Sequence, residues 1–170
     1  MSIDSHIDVA IRSATPADAE DLARIYNPFV ANSNVTFEQE PVSGDEMVRR
    51  LQEVQAASLP WLVAQVGDEV AGFAFASQWK GRCAYRYSTE VTVYLDPAYG
   101  GRGIGSKLYG QLLPALKKAG MHTAMGGIAL PNDASVALHE KFGFEKVAHF
   151  KEVGFKNDRW IDVGYWQLML

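Results

Sequence analysis

A single cysteine, Cys83, excludes an internal disulfide and a cysteine metal cluster. No stretch approaches the roughly 20 consecutive apolar residues that a membrane-spanning helix requires. The first residues carry neither a basic n-region nor an apolar h-region, so a cytoplasmic protein is expected. Basic residues are outnumbered, 16 against 20 acidic, and the net charge of −4 comes without a basic block. General binding to nucleic acid or to a membrane surface is therefore not expected, and small molecules are the expected partners. No low-complexity tract divides the 170 residues, and a 48% hydrophobic content supplies a proper core, so one domain over residues 1–170 is expected.

What the chain does have is a strand, a glycine-rich turn and a helix in that order. Residues 90–95 (Glu-Val-Thr-Val-Tyr-Leu) alternate polar and apolar β-formers, Asp96-Pro97 stops them, and Leu108, Leu112, Leu113 and Leu116 repeat at helical spacing. Between them runs Tyr99-Gly100-Gly101-Arg102-Gly103-Ile104-Gly105, with four glycines in six residues. The first amides of a helix have no intrahelical partner and the macrodipole is positive there, so backbone donors can hold a pyrophosphate if side chains stay clear. A nucleoside-triphosphate P-loop needs Lys directly after its last glycine, but Ser106 stands there and Lys107 follows. A dinucleotide fingerprint starting at Gly101 wants a glycine where Ser106 stands, and too little chain follows for a doubly wound sheet.

The other elements are short. A strand over residues 9–12 precedes Thr15-Pro16-Ala17-Asp18, which opens a helix expected to end at Asn27-Pro28. Residues 31–41 read as a polar loop with one aromatic, Phe37. Ser43 to Glu46 is a capping box for a helix bearing Met47, Leu51 and Val54 on one face. Residues 61–66 and 70–76 form a hairpin about Gly67-Asp68-Glu69, and an insertion covers 78–88. An apolar strand at 124–130, a helix at 134–142 capped by Pro131-Asn132-Asp133 and ended by Gly143, and closing strands at 144–150 and 160–168 complete a mixed sheet. Pro114 removes a helical hydrogen bond and predicts a kink or early end after the glycine loop.

This order, with Gly103 and Gly105 closing the loop, resembles the pyrophosphate-binding motif of the GNAT superfamily of N-acetyltransferases. Three further segments narrow the resemblance: Trp79-Lys80-Gly81-Arg82-Cys83-Ala84-Tyr85, the run from Leu130-Pro131-Asn132-Asp133 through Leu138-His139-Glu140, and the terminal Trp160-Ile161-Asp162-Val163-Gly164-Tyr165-Trp166-Gln167. Together they look like phosphinothricin N-acetyltransferase and its methionine sulfoximine-acetylating relatives, across residues 11–167. The resemblance implies an α+β (three-layer) acyl-coenzyme A N-acyltransferase fold, acetyl-coenzyme A as co-substrate without a metal, and a homodimer. One departure is Gly100, where the family usually has Arg or Gln; weaker phosphate anchoring is the expected consequence, since backbone donors carry most of that contact.

The chemistry restricts the site residues. An amine attacks a thioester as the free base, so a base must remove its proton. Glu90, on the strand that leads into the loop, is the candidate, and by resemblance it is the family's catalytic glutamate; the alternative is a solvent-facing or paired carboxylate. His139 stands where many acetyltransferases of this fold have Tyr; its imidazole can accept the amine's proton or protonate the coenzyme A sulfur, and the sequence leaves both open. His6, His122 and His149 have no motif context. A backbone N–H among Val93, Tyr94 and Leu95 is expected to polarise the thioester oxygen. Gly100, Gly101, Arg102, Gly103, Ile104, Gly105 and Ser106 are expected on the phosphates, Lys107 being a further basic group there; the resemblance places Asn132 on the pantetheine arm, and its position also suits an ordinary helix cap. For the amine substrate, Lys80 and Arg82 supply two cationic anchors, and the resemblance places Phe37 and Tyr85 as apolar walls. The resemblance thus implies acetylation of the α-amino group of a small amino-acid analogue by direct transfer. The competing readings are acetylation of a protein N-terminus or lysine, and a non-catalytic coenzyme A binding module.

Overall fold

A computed structural model describes residues 8–170; His6 lies outside them. Among the described residues, seven strands form one sheet with four α-helices packed on it. In chain order these are β1 (Ala10–Ser13), α1 (Ala19–Asn32), α2 (Gly44–Ala56), β2 (Trp61–Val66), β3 (Glu69–Gln78), β4 (Ser88–Leu95), α3 (Ile104–Lys118), β5 (Thr123–Ala129), α4 (Asp133–Lys141), β6 (Glu145–Lys156) and β7 (Arg159–Met169). The sheet order is β1-β2-β3-β4-β5-β7-β6, antiparallel throughout except where β4 meets β5. That parallel pair needs a crossover, and α3 supplies it.

The two sheet faces are covered differently. Glu90, Thr92 and Tyr94 share one face by the two-residue period of a strand, and α1 packs there, with Tyr26 edge-on to Tyr94 at 4.9 Å and Phe29 at 5.2 Å. On the other face α3 buries Leu108, Tyr109, Leu112 and Leu116 completely. Arg24 of α1 binds Asp96 at 2.7 Å and the Val70 carbonyl at 3.0 Å, tying α1 to the chain just before the glycine loop.

The helix ends expected at the two prolines are corrected. The first helix runs through Pro28 to Asn32, and α3 runs through Pro114 to Lys118. Each loses one backbone hydrogen bond, but packing outweighs it: Ile25, Tyr26 and Val30 flank Pro28 in the core, and Leu112, Leu113 and Leu116 flank Pro114. Asn27 instead fixes the return of the chain, with its side-chain amide exchanging hydrogen bonds of 2.8 and 2.9 Å with the Val42 backbone. Ser43 caps α2 by accepting from the Glu46 amide at 3.1 Å, while the Glu46 carboxylate turns outward to Arg49 and Arg50. The closing strands are longer than their alternation suggested. The β6–β7 register shifts between Phe150 and Gly154, where Glu152 has φ 52°, and the strands then pair to a tight Asn157-Asp158 turn with φ 52° and 56°.

Truncating the face of α3 that carries this packing, Leu112→Ala, is expected to lower unfolding free energy by about 2–5 kcal/mol in a urea titration.

Candidate active site

Strands β4 and β5 pair at three positions, Ser88 with Thr123 through Glu90 with Met125, and then separate. Residues 91–95 stay paired to β3 on their other side. Their backbone edge toward β5 therefore faces a cleft of about 390 Å³. Glu90 to Leu95 line one wall and Gly127 to Ala129 the opposite one; Asn132, Ser135, Leu138 and His139 of the α4 segment close one end. This separation is what brings Val93, Tyr94 and Leu95 into the cleft together.

Glu90 is half-buried, and among the described residues no hydrogen bond or ion pair holds its carboxylate. Burial alone pushes its pKa above the ordinary carboxylate value. A glycine gives it room: a Cβ on Gly127 would stand 3.1 Å from Glu90 Oε1 and from the Tyr165 ring, a tight contact for both. Tyr165 is itself pushed up, first by burial and then by the Glu90 charge. Glu90 lines the β4–β5 cleft and also two cavities beyond it, so it stands where they meet.

His139 is on the other side of the sheet. A Cβ on Gly126 would meet its ring at 2.5 Å, and adjacent residues of β5 point to opposite faces. The ring is buried, edge-on to Tyr109 and Phe144 with centroids 5.2 and 5.0 Å away. Its Nδ1 lies 2.7 Å from the Ser135 carbonyl, which accepts but cannot donate, so Nδ1 carries a proton. The other nitrogen, Nε2, lies 3.0 Å from the Tyr109 hydroxyl and accepts from it in the neutral ring. Burial lowers the His139 pKa, with the Ser135 bond opposing, and burial raises that of Tyr109.

Beyond β4, a 3₁₀ turn over Pro97–Tyr99 leads into the glycine loop. Gly101 and Gly103 have φ of 73° and 74°, a region that side chains resist, and a Cβ on either would meet nothing within 4 Å. Gly103 caps α3, so the amides of Ile104, Gly105 and Ser106 open the helix without intrahelical acceptors. Gly105 is buried against Leu138. Gly100 is different: its φ of −60° suits any residue, and a Cβ there meets no more than ordinary contact with the Pro97 carbonyl at 3.4 Å. The local backbone thus admits the Arg or Gln usual in the family. Arg102 lies over the Tyr99 ring at 5.7 Å, Lys107 is exposed, and Lys141 of α4 donates to Ser106 Oγ at 2.9 Å. Asn132 lines the cleft and, as expected of a helix cap, accepts from the Ser135 amide at 3.1 Å at the start of α4.

On the Glu90 face, Phe37, Trp79, Lys80, Val163 and Tyr165 line a cavity of about 560 Å³ walled by Val147, Phe150 and Val153 of β6. Lys80 Nζ sits over the Trp79 ring at 4.9 Å, and Tyr85 meets Trp79 edge-on at 5.4 Å. The structure brings Phe37 and Lys80 to this cavity with Glu90; Tyr85 adjoins it through Trp79, and Arg82 stands on the exposed loop before the 3₁₀ turn at Cys83–Tyr85, outside the cavity wall. Sequence reasoning missed Tyr109, whose helical spacing reads as core, and Gly126, Gly127 and Tyr165, whose places depend on β5 pairing with β7. It also gave His149 no partner, and the ring in fact pairs with Asp162 at 2.7 Å. Among the described residues no cluster of His, Cys, Asp and Glu is arranged to hold a metal, and no helix is long and apolar enough to cross a membrane.

A family model described as acetyltransferase (GNAT) domain matches residues 11–164. The chain is 40% identical to the phosphinothricin N-acetyltransferase of Streptomyces viridochromogenes, covering 94% of this chain and 86% of that protein. It is 33% identical to the L-methionine sulfoximine/L-methionine sulfone acetyltransferase of Salmonella typhimurium, over 95% of each. The structure of a GNAT superfamily phosphinothricin acetyltransferase from Sinorhizobium meliloti in complex with acetyl-coenzyme A superposes with a TM-score of 0.92 at 34% identity, covering 95% of this chain and 88% of that one. The expected fold is therefore borne out.

An uncompensated, half-buried carboxylate has a thermodynamic signature. Because the folded-state pKa of Glu90 is raised, its contribution to stability is present below the unfolded value and lost as pH rises through the folded one. Glu90→Gln is expected to melt above wild type at pH 7 to 8, with the difference closing toward pH 4, in thermal unfolding followed by circular dichroism.

Proposed function

The chain belongs to the GNAT acetyltransferase family, and from that premise we propose that it transfers the acetyl group of acetyl-coenzyme A directly to the α-amino group of a small amino-acid analogue, of the phosphinothricin or methionine sulfoximine and sulfone kind. The observation that carries this reading is the position of Glu90, shared by the β4–β5 cleft and the cavity that holds Lys80 and Phe37. The glycine loop and the start of α3 fit a pyrophosphate, with open space at Gly101 and Gly103 and unpaired amides behind them. Acetyl-coenzyme A supplies an acyl group activated as a thioester.

Each residue then has one task. Lys80, backed by Trp79, attracts the anionic group of the substrate. Glu90 takes the proton from the ammonium, directly or through water, and its raised pKa makes it the stronger base for doing so. The unpaired edge of residues 93–95 donates an N–H to the oxygen that gains charge as the C–N bond forms. The coenzyme A thiolate that leaves as the C–S bond breaks takes up a proton through water, balancing the one that Glu90 removes. His139 and Tyr109, neutral and hydrogen-bonded to each other, stand across the sheet from Glu90, which suits the pair to orienting groups on the sulfur side. The same reading includes a homodimer, supported by the half-exposed apolar side chains Val147, Phe150 and Val153 on the edge strand β6.

The test is release of free coenzyme A thiol with a panel of phosphinothricin, methionine sulfoximine, methionine sulfone, ordinary amino acids and a peptide. Turnover is expected with the amino-acid analogues, and Glu90→Gln is expected to lower kcat by about 10²- to 10⁴-fold. Turnover with the peptide alone would move the activity to protein acetylation. Tight binding of acetyl-coenzyme A with no turnover would leave a binding module.

A further inference from the structure

Lys156 is a buried cation that the transfer reaction does not use. Its side chain is 4% exposed, and its ammonium donates at 2.8 Å to the carbonyl of Thr36, in the loop between α1 and α2. Two residues earlier on the same face of β6, Gly154 meets the ring of Phe37 so closely that a Cβ there would lie 2.3 Å from Phe37 Cζ. At the adjoining turn, Asn157 Nδ2 donates to Asn34 Oδ1 at 2.9 Å. The end of β6 is thus a seat for residues 34–37, and those residues matter to the site. Val35 and Thr36 line the β4–β5 cleft, and Phe37 walls the cavity on the Glu90 face.

The other side of the loop is held as firmly. Tyr26 shares a 2.6 Å hydrogen bond with Thr36 Oγ1 and also bonds to Glu38, whose carboxylate is pulled below its ordinary pKa, chiefly by Arg50. Burying an ammonium against one hydrogen-bond acceptor, with the Glu38 carboxylate nearby only partly offsetting the loss of hydration, is a poor way to add stability, because desolvation of the charge still outweighs these interactions. An apolar side chain of similar length would cost less there. What Lys156 supplies and an apolar residue does not is a fixed position for the Thr36 carbonyl.

We infer that Gly154 and Lys156 are positioning residues for substrate selection: they set where Phe37 stands in the amine cavity and so determine the size of side chain the enzyme accepts. The inference rests on the proposed function for its substrate readout, but not for its structural one.

Two measurements test it. In Lys156→Met, amide hydrogen exchange of residues 34–38 is expected to quicken at least about tenfold while the central strands stay protected, and Lys156→Arg to restore most of the protection. Unchanged exchange at 34–38 overturns the inference whether or not any amine is acetylated. In Gly154→Ala, the KM ratio between a short and a long amino-acid analogue is expected to change at least about fivefold with the affinity for acetyl-coenzyme A held within about twofold. The change is expected to vanish in a Phe37→Ala background, because the two positions act through one ring. An equal effect of Gly154→Ala in both backgrounds, or none in either, overturns it. Absence of all turnover in wild type would instead count against the proposed function, leaving the exchange result to decide this inference.

Discussion

Everything at this site depends on two neighbouring parallel strands ceasing to pair. Had β4 and β5 stayed in register beyond Glu90 and Met125, the sheet would be continuous and its two faces sealed from each other. Their separation leaves a backbone edge unpaired, and in a protein interior an unpaired edge is costly unless something accepts from it. Here the cost is local and useful. The opening joins a face that presents a carboxylate to a face that presents an imidazole, and adjacent glycines on β5 admit one group on each side.

The electrostatics follow the same division. Among the described residues no cation lowers the pKa of Glu90, whereas Asp18, Glu38 and Asp96, also carboxylates of the partly enclosed framework, are each held low by hydrogen bonds, from Arg12, Arg50 and the Ala98 amide respectively. The framework carboxylates are acceptors locked to donors; the one at the opening is kept bare. A carboxylate in that setting gains a proton more readily than one paired with a guanidinium, which is what the base role proposed for Glu90 requires.

Much of this was legible in the chain before any coordinates. The glycine loop, the strand before it and the caps at Ser43 and Asn132 depend on neighbours a few residues away, and local physics places them correctly. Pro28 and Pro114 do not end their helices, because the local penalty is offset by core contacts that the local sequence does not contain. The full length of β6 was hidden because a bulge breaks the alternation by which a strand is recognised. Tyr165, Gly126 and Gly127 acquire meaning through the pairing of β5 with β7, and Lys156 through a loop far away in the chain. Arg82 matched its expected motif by spacing, yet the loop carries it away from the cavity where Lys80 points.

The hydrogen bond from Lys156 to Thr36 joins residues 120 apart, and it comes from the last hairpin of the chain. A nascent polypeptide emerging from the ribosome has its glycine loop and Glu90 available well before β6 exists. The loop bearing Phe37 can find its seat once that hairpin has been synthesised and has closed against β5. The seat for residues 34–37 is therefore the last part of the cavity wall to be completed as the chain is made.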